Sequence, residues 1–185
     1  AHGVYELSVN GQKAGEEFMS PGWTSYHKRL QYQFYDITEL LAEENEIALT
    51  VGNGWYKGIL GFDCKPNRYG DRVEAFAEIH ILFEDGSSEV VATDETWGVR
   101  TGEIRYSEIY MGEIQDTDQP ETRDGKVSVV PFDKSLLCAQ ESEPVRVTKR
   151  FQAKRVFVDP KGNQLVDFGQ NITGLVEVRI KGEEG

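Results

Sequence analysis

Val4-Tyr5-Glu6-Leu7-Ser8-Val9, followed by Asn10-Gly11, alternates Tyr5, Leu7 and Val9 with Glu6 and Ser8. A period of two places the apolar side chains on one face of an extended chain, and Asn-Gly supplies the positive φ of a tight hairpin turn. The stretch predicts a half-buried strand entering a hairpin. Working outward, Leu30, Tyr32 and Phe34 alternate with Gln31 and Gln33, and Asp36 with Glu39 three residues on predicts a capped helical turn. Ile47, Leu49 and Val51 repeat the pattern. So do Ala77, Ile79, Ile81 and Phe83 before the Asp85-Gly86 turn, with residues 90–93 as the answering strand.

The alternation breaks at residues 52–70. There Gly52-Asn53-Gly54-Trp55-Tyr56-Lys57-Gly58 and Lys65-Pro66-Asn67-Arg68-Tyr69-Gly70 make a long connection rich in glycine and aromatics, the kind of loop that often carries function. Residues 117–126 are polar, contain Pro120 and Gly125, and read as surface loop. Beyond residue 141 new strands are predicted at 145–151, 155–158, 164–168 and 175–180. Many short strands with turn signals between them and almost no helical periodicity predict an all-β fold. The expectation is a jelly-roll or galactose-binding-like β-sandwich over residues 1–140, followed by the first strands of a second β-sandwich over 141–185. A strand under way at Val4 and another just before Gly185 read as cuts through a longer chain.

Composition narrows the partners. With 32 acidic and 20 basic residues the net charge is -12, which repels phosphate backbones and anionic lipid surfaces, so neither nucleic acid nor membrane is expected. No apolar run approaches the roughly 20 residues a membrane helix needs, and no basic stretch leads into a signal-like segment. Cys64 and Cys138 lack the paired spacing of zinc or redox motifs. As reduced thiols they favour a cytoplasmic location.

The ordered series Gly3-Val4-Tyr5-Glu6-Leu7, Val9-Asn10-Gly11, Pro21-Gly22-Trp23-Thr24-Ser25-Tyr26, Tyr35-Asp36-Ile37-Thr38, Gly54-Trp55-Tyr56-Lys57-Gly58 and Tyr110-Met111-Gly112-Glu113 resembles the N-terminal domain of bacterial α-L-rhamnosidases. Asp167-Phe168-Gly169-Gln170-Asn171 with Gly174 is similar to the start of the concanavalin-like β-domain that follows in those enzymes. The resemblance covers nearly the whole chain. It implies a non-catalytic portion of a glycoside hydrolase that releases terminal α-L-rhamnose by inversion, with the carboxylates on an (α/α)₆ barrel elsewhere in the polypeptide. The implied partners are rhamnose-containing glycosides and that barrel. One departure stands out: relatives continue from Gly-Glu with Tyr-Asp and soon Gly-Trp, whereas this chain reads Gly112-Glu113-Ile114-Gln115-Asp116 and has no tryptophan after Trp97.

A sugar is recognised by an aromatic ring under its apolar face and by amides, carboxylates or guanidinium groups around its hydroxyls. Asn53, Trp55, Tyr56, Asn67, Arg68 and Tyr69 supply that chemistry and are the candidate substrate-binding residues. The alternative is that Trp55 and Tyr56 pack the loop onto the sandwich and that this piece only scaffolds the barrel. The residue types of Pro21-Gly22-Trp23-Thr24-Ser25-Tyr26 suit a loop that packs aromatics against the core as well as they suit ligand contact, and packing is the favoured reading. No cofactor is expected. Calcium, which the resemblance implies for some such modules, would draw on oxygens of Asn53, Asp63, Asn67 and Asp71, but these lack any regular ligand spacing. Glu108, Glu113 and Asp116 are the nearest carboxylates for acid–base work, yet proximity in sequence says little among so many acids, and no catalytic residue is assigned. His2, His27 and His80 are scattered, and none reads as a base or a metal ligand. The Asn171-Ile172-Thr173 acceptor pattern is too short to weigh.

Overall fold

β1 (Val4–Val9) turns at Asn10 (φ 52) and Gly11 (φ 75) into β2 (Gln12–Lys13). After β3 (Leu30–Tyr32), β4 (Ile47–Gly52) returns along the other edge of β1, antiparallel. Tyr5 stands opposite Val51, Leu7 opposite Leu49 and Val9 opposite Ile47. The apolar faces of the two strands therefore coincide, as cross-strand pairing requires. The computed structural model describes residues 1–118, 122–179 and 181, in two compact units, 1–145 and 146 onward.

The first unit continues with the single helical turn α1 (Gly54–Lys57), then β5 (Glu78–Leu82), β6 (Ser88–Ala92), β7 (Gly98–Thr101), β8 (Ile104–Glu108), β9 (Gly112–Gln115), β10 (Thr122–Lys126) and β11 (Leu137–Ala139). β5 pairs with β6, β8 with β9 and β7 with β10, all antiparallel. β11 runs parallel to β3, with Leu137 opposite Leu30. In the second unit β12 (Arg155–Val158) and β13 (Gln164–Asp167) form an antiparallel hairpin. Among the described residues the hydrogen bonds make one three-stranded sheet and five two-stranded ones. The expected all-β class is what the protein has.

Several local expectations need correction. Residues 122–126 form a strand rather than a loop, because β7 supplies hydrogen-bond partners that no alternation advertises, and their pairing carries an irregularity between Thr122 and Gly125. Gln119, Pro120 and Glu121 lie outside the described residues. Residues 145–151 and 175–179 are not strands in spite of their apolar alternation, Ile180 lying outside the described residues. Val145 makes only an isolated bridge with Phe18. The turn at Thr38–Leu40 is 3-10, and Glu39 does not complete a capping box; Asp36 instead accepts from both the N–H and the hydroxyl of Thr38 (3.0 and 2.7 Å).

Val9, Ala14, Tyr26, Leu30 and Leu60 form the driest part of the first unit, each at most 3% exposed. Much else that is apolar stays uncovered: Leu82 on β5 is 79% exposed and Ile114 on β9 is 60% exposed. No helix among the described residues is long and apolar enough to cross a membrane.

Acidic residues serve as turn makers. Asp36, Asp85, Asp94 and Asp133 are held below the usual carboxyl range by the hydroxyls of Thr38, Ser87, Thr96 and Ser135, helped by the same residues' N–H groups. Asp159 is lowered chiefly by the Asn163 side chain, and Asp167 by the Gly169 N–H and then Arg155. A carboxyl whose folded-state pKa is depressed stabilises the fold above its unfolded value, and that stability is lost as pH falls through the folded value. The urea midpoint should therefore hold steady above about pH 4 and fall progressively below it, and replacing Asp36, Asp85 and Asp94 together by Asn should flatten that fall. Val9→Ala, at a site 0% exposed, should cost about 2 kcal/mol in the same unfolding measurement.

Candidate functional site

The chain leaves β4 at Gly52 and winds through α1 before returning at residues 65–70. Asn53 opens the turn in helical conformation (φ -58, ψ -41). Gly54, at φ 55, lies so close to β1 that a Cβ there would stand 2.8 Å from the Val4 backbone nitrogen. The returning segment is tied to the turn by Asn67 N–H donating to Lys57 O (2.8 Å) and Tyr69 N–H to Tyr56 O (3.3 Å). Between them, Leu60 and Lys65 bridge and close a smaller turn over residues 61–64.

This backbone delivers its rings into a cluster. Tyr56 lies flat on His2, with centroids 4.2 Å apart and planes within 4°, and meets Tyr26 edge-on at 5.1 Å. Tyr26 in turn meets Tyr69 at 4.8 Å, and its hydroxyl donates to Gly22 O (3.2 Å). Edge-on and stacked pairs of this kind contribute about 0.5–1.5 kcal/mol each beyond the area they bury. Burial pushes the Tyr26 hydroxyl pKa up; burial, then the charges of Glu74 and Asp71, does the same to Tyr56. His2 is fixed in turn by Glu74, through Nδ1 to Oε2 at 2.8 Å and through backbone bonds in both directions.

At the outer edge of the cluster Trp23 stacks on Trp55, with centroids 6.0 Å apart and planes within 8°. Its indole Nε1 donates to Tyr69 Oη at 3.1 Å. Trp23 is nevertheless 52% exposed, so its ring is held in place while much of it faces water. Of the two readings the sequence left open for this motif, Tyr26 follows the favoured one and packs, while Trp23 joins the loop of residues 52–70 as a surface ring. The partners of Trp23, namely Trp55 and Tyr69, were not legible, because the contact spans a gap that no local pattern encodes.

The polar candidates are mostly committed. Asn53 Nδ2 donates to Glu108 Oε1 (2.7 Å). Arg68 forms an ion pair with Asp63 and reaches Leu60 O at 3.5 Å. Asn67 sits exposed with φ 61. Asp63 faces Arg68 with one oxygen and Lys65 with the other (3.7 Å). Of the oxygens considered for calcium, both of Asp63 face cations, whereas Asn53 engages Glu108 through its amide nitrogen. Among the described residues no group of three or more His, Cys, Asp or Glu is placed to hold a metal ion.

The β8–β9 register separates two of the acids named from the sequence. Glu108 stands opposite Gly112 and Glu113 opposite Ser107 on adjacent rungs of the β8–β9 hairpin, so alternation turns them to opposite faces. Asp116 follows β9, its N–H donating to Glu103 O at 2.9 Å.

Known proteins carry the same arrangement of chain. A curated α-L-rhamnosidase of Streptomyces avermitilis is 34% identical over 199 residues, spanning 100% of this chain and 19% of its own length. One from Formosa agariphila is 29% identical over 198 residues, spanning 99% and 21%. The crystal structure of native α-L-rhamnosidase from Aspergillus terreus superposes with a TM-score of 0.83 at 36% identity, over 92% of this chain and 21% of that one. The S. avermitilis α-L-rhamnosidase complexed with L-rhamnose gives 0.79 at 32%, over 92% and 18%. The chain thus spans about a fifth of the length of the curated relatives it matches. Residues 1–149 match the family described as the α-L-rhamnosidase N-terminal domain, and the chain belongs to that family.

Proposed function

We propose that this chain is the non-catalytic N-terminal portion of an α-L-rhamnosidase and that it helps recognise rhamnose-containing glycosides. Inverting hydrolysis of terminal α-L-rhamnose falls to the (α/α)₆ barrel of the same polypeptide, and residues 141–185 begin the intervening concanavalin-like β-domain. The observation that supports recognition is Trp23: half exposed, stacked on Trp55 and fixed by Tyr69 Oη. A ring held in one orientation before the ligand arrives avoids the entropy of ordering it on binding, and an aromatic face suits the apolar face of a pyranose. Tyr69 supports it through the indole hydrogen bond and Tyr56 through its contact with Tyr69, while the exposed Asn67 is available to offer its amide.

A second reading has its own observation. The exposed Leu82, Val90, Ile104 and Ile114 of β5, β6, β8 and β9 suit a module that packs against the rest of its polypeptide. On that reading the chain binds an apolar dye such as ANS and no sugar.

Titration of the chain with L-rhamnose, followed by heteronuclear NMR with and without calcium, separates the two. Recognition predicts shifts confined to residues 52–70 and Trp23, with Kd on the order of 1 mM or tighter, and weakening by roughly tenfold in both Trp23→Ala and Trp55→Ala. No shift up to roughly 50 mM sugar, well beyond the millimolar range, would leave the scaffold reading in possession. Tyr69→Phe removes the acceptor for the Trp23 indole, and should weaken rhamnose by a factor of about 2–5 while lowering the fluorescence anisotropy of the tryptophans.

A further inference from the structure

Glu108 is the last residue of β8, far in sequence from the loop that carries Trp55. Its half-buried carboxylate nevertheless spans that loop's first turn. Oε1 accepts from Asn53 Nδ2 at 2.7 Å, just before α1, and Oε2 accepts from the Ile59 N–H at 3.0 Å, just after it. Gly58 is bare at the docking point: a Cβ there would stand 2.5 Å from Glu108 Oε2 and 2.2 Å from Gly54 O. A single side chain on the β8–β9 hairpin thus fixes both ends of the four-residue turn that bears Trp55 and Tyr56.

We infer that Glu108 is a positioning residue: by bridging Asn53 and Ile59 it sets the plane of Trp55 and, through the stack, the plane of Trp23. Both of its oxygens are engaged as acceptors, so what the turn requires of it is reach and two hydrogen-bonding atoms. Charge is secondary. A glutamine of the same length meets that requirement, with Oε1 accepting from Ile59 N–H and Nε2 donating to Asn53 Oδ1 once the Asn53 amide turns over. An aspartate keeps the charge and, one methylene shorter, cannot reach both ends. A proton-transfer group or a cation ligand would show the opposite preference, tolerating loss of charge least.

The sugar arm of the test rests on the recognition reading above; the backbone and indole arms do not. The experiment compares Glu108→Gln, Glu108→Asp and the unmodified chain in amide hydrogen exchange at Ile59, in the NMR positions of the Trp23 and Trp55 indole N–H signals, and in L-rhamnose titration. In Glu108→Gln all three should stay within roughly twofold of the unmodified chain, because both hydrogen bonds are kept. In Glu108→Asp, Ile59 exchange should accelerate roughly tenfold, both indole signals should move, and rhamnose affinity should fall roughly tenfold. The inference is overturned if Glu108→Asp leaves Ile59 exchange and the indoles unchanged, or if Glu108→Gln is the more damaged of the two. If the unmodified chain binds no rhamnose while Glu108→Asp still releases Ile59 and shifts the indoles, the positioning role stands and the recognition reading falls.

Discussion

Tyr26 and Tyr56 meet at nearly a right angle, 5.1 Å between ring centres, and most of what is distinctive in the first unit depends on that contact. Tyr26 is 2% exposed and belongs to the segment that precedes β3; Tyr56 belongs to α1. Their meeting fixes the loop of residues 21–27 against the loop of residues 52–70, and no hydrogen-bonded sheet does so. His2 stacks on Tyr56 and ties in the start of the chain. Against this frame Trp23 stacks on Trp55 and donates its indole N–H to Tyr69 Oη. Aromatic side chains hold such loops well because each ring has few rotatable bonds and a large area, so the entropy lost on ordering it is small for the surface it buries.

The strands most legible in the sequence are those whose alternation matches a partner's. β1 and β4 were readable because Tyr5, Leu7 and Val9 answer Val51, Leu49 and Ile47 across the ladder. Val176-Glu177-Val178-Arg179 also alternates yet stays irregular, because alternation records a face to be buried and says nothing about whether a neighbouring backbone is present to satisfy the N–H and C=O groups. β10 shows the converse: Arg123-Asp124-Gly125 has no periodic signal, and β7 makes it a strand. In the candidate site the loop and its rings could be named in advance because glycine and tryptophan are conspicuous there. The partners of those rings could not, since Trp23 reaches Tyr69, and Glu108 reaches Asn53, across gaps that only the folded chain closes.

The acidity of the chain takes on a different meaning once the side chains are placed. An excess of carboxylates in a relative of glycosidases invites a search for a catalytic pair. Here many of the aspartates sit where the chain reverses, their oxygens accepting from hydroxyls and backbone N–H groups two residues on. Such local bonds define short connections between strands without any contribution from a core. Glu108 applies the same chemistry over a longer range, organising a turn from a neighbouring hairpin.

The parallel pairing of β11 with β3 bears on how the first unit comes to exist at all. Cys138 lies against Leu30, 108 positions earlier in the chain, and Gln140 N–H donates to Tyr32 O at 3.1 Å. Leu30, one of the driest residues of the unit, therefore acquires its strand partner only after nearly every other strand of the unit has been made. On a ribosome, β3 would emerge early and wait with an unsatisfied edge until residues 137–140 arrive, at a rate of roughly 5–20 residues per second. For those seconds the nascent chain would carry an open strand next to exposed aromatics. The β5–β6 and β8–β9 hairpins, closing locally in the meantime, shorten the span that remains to be gathered and so lower the entropy of the final closure.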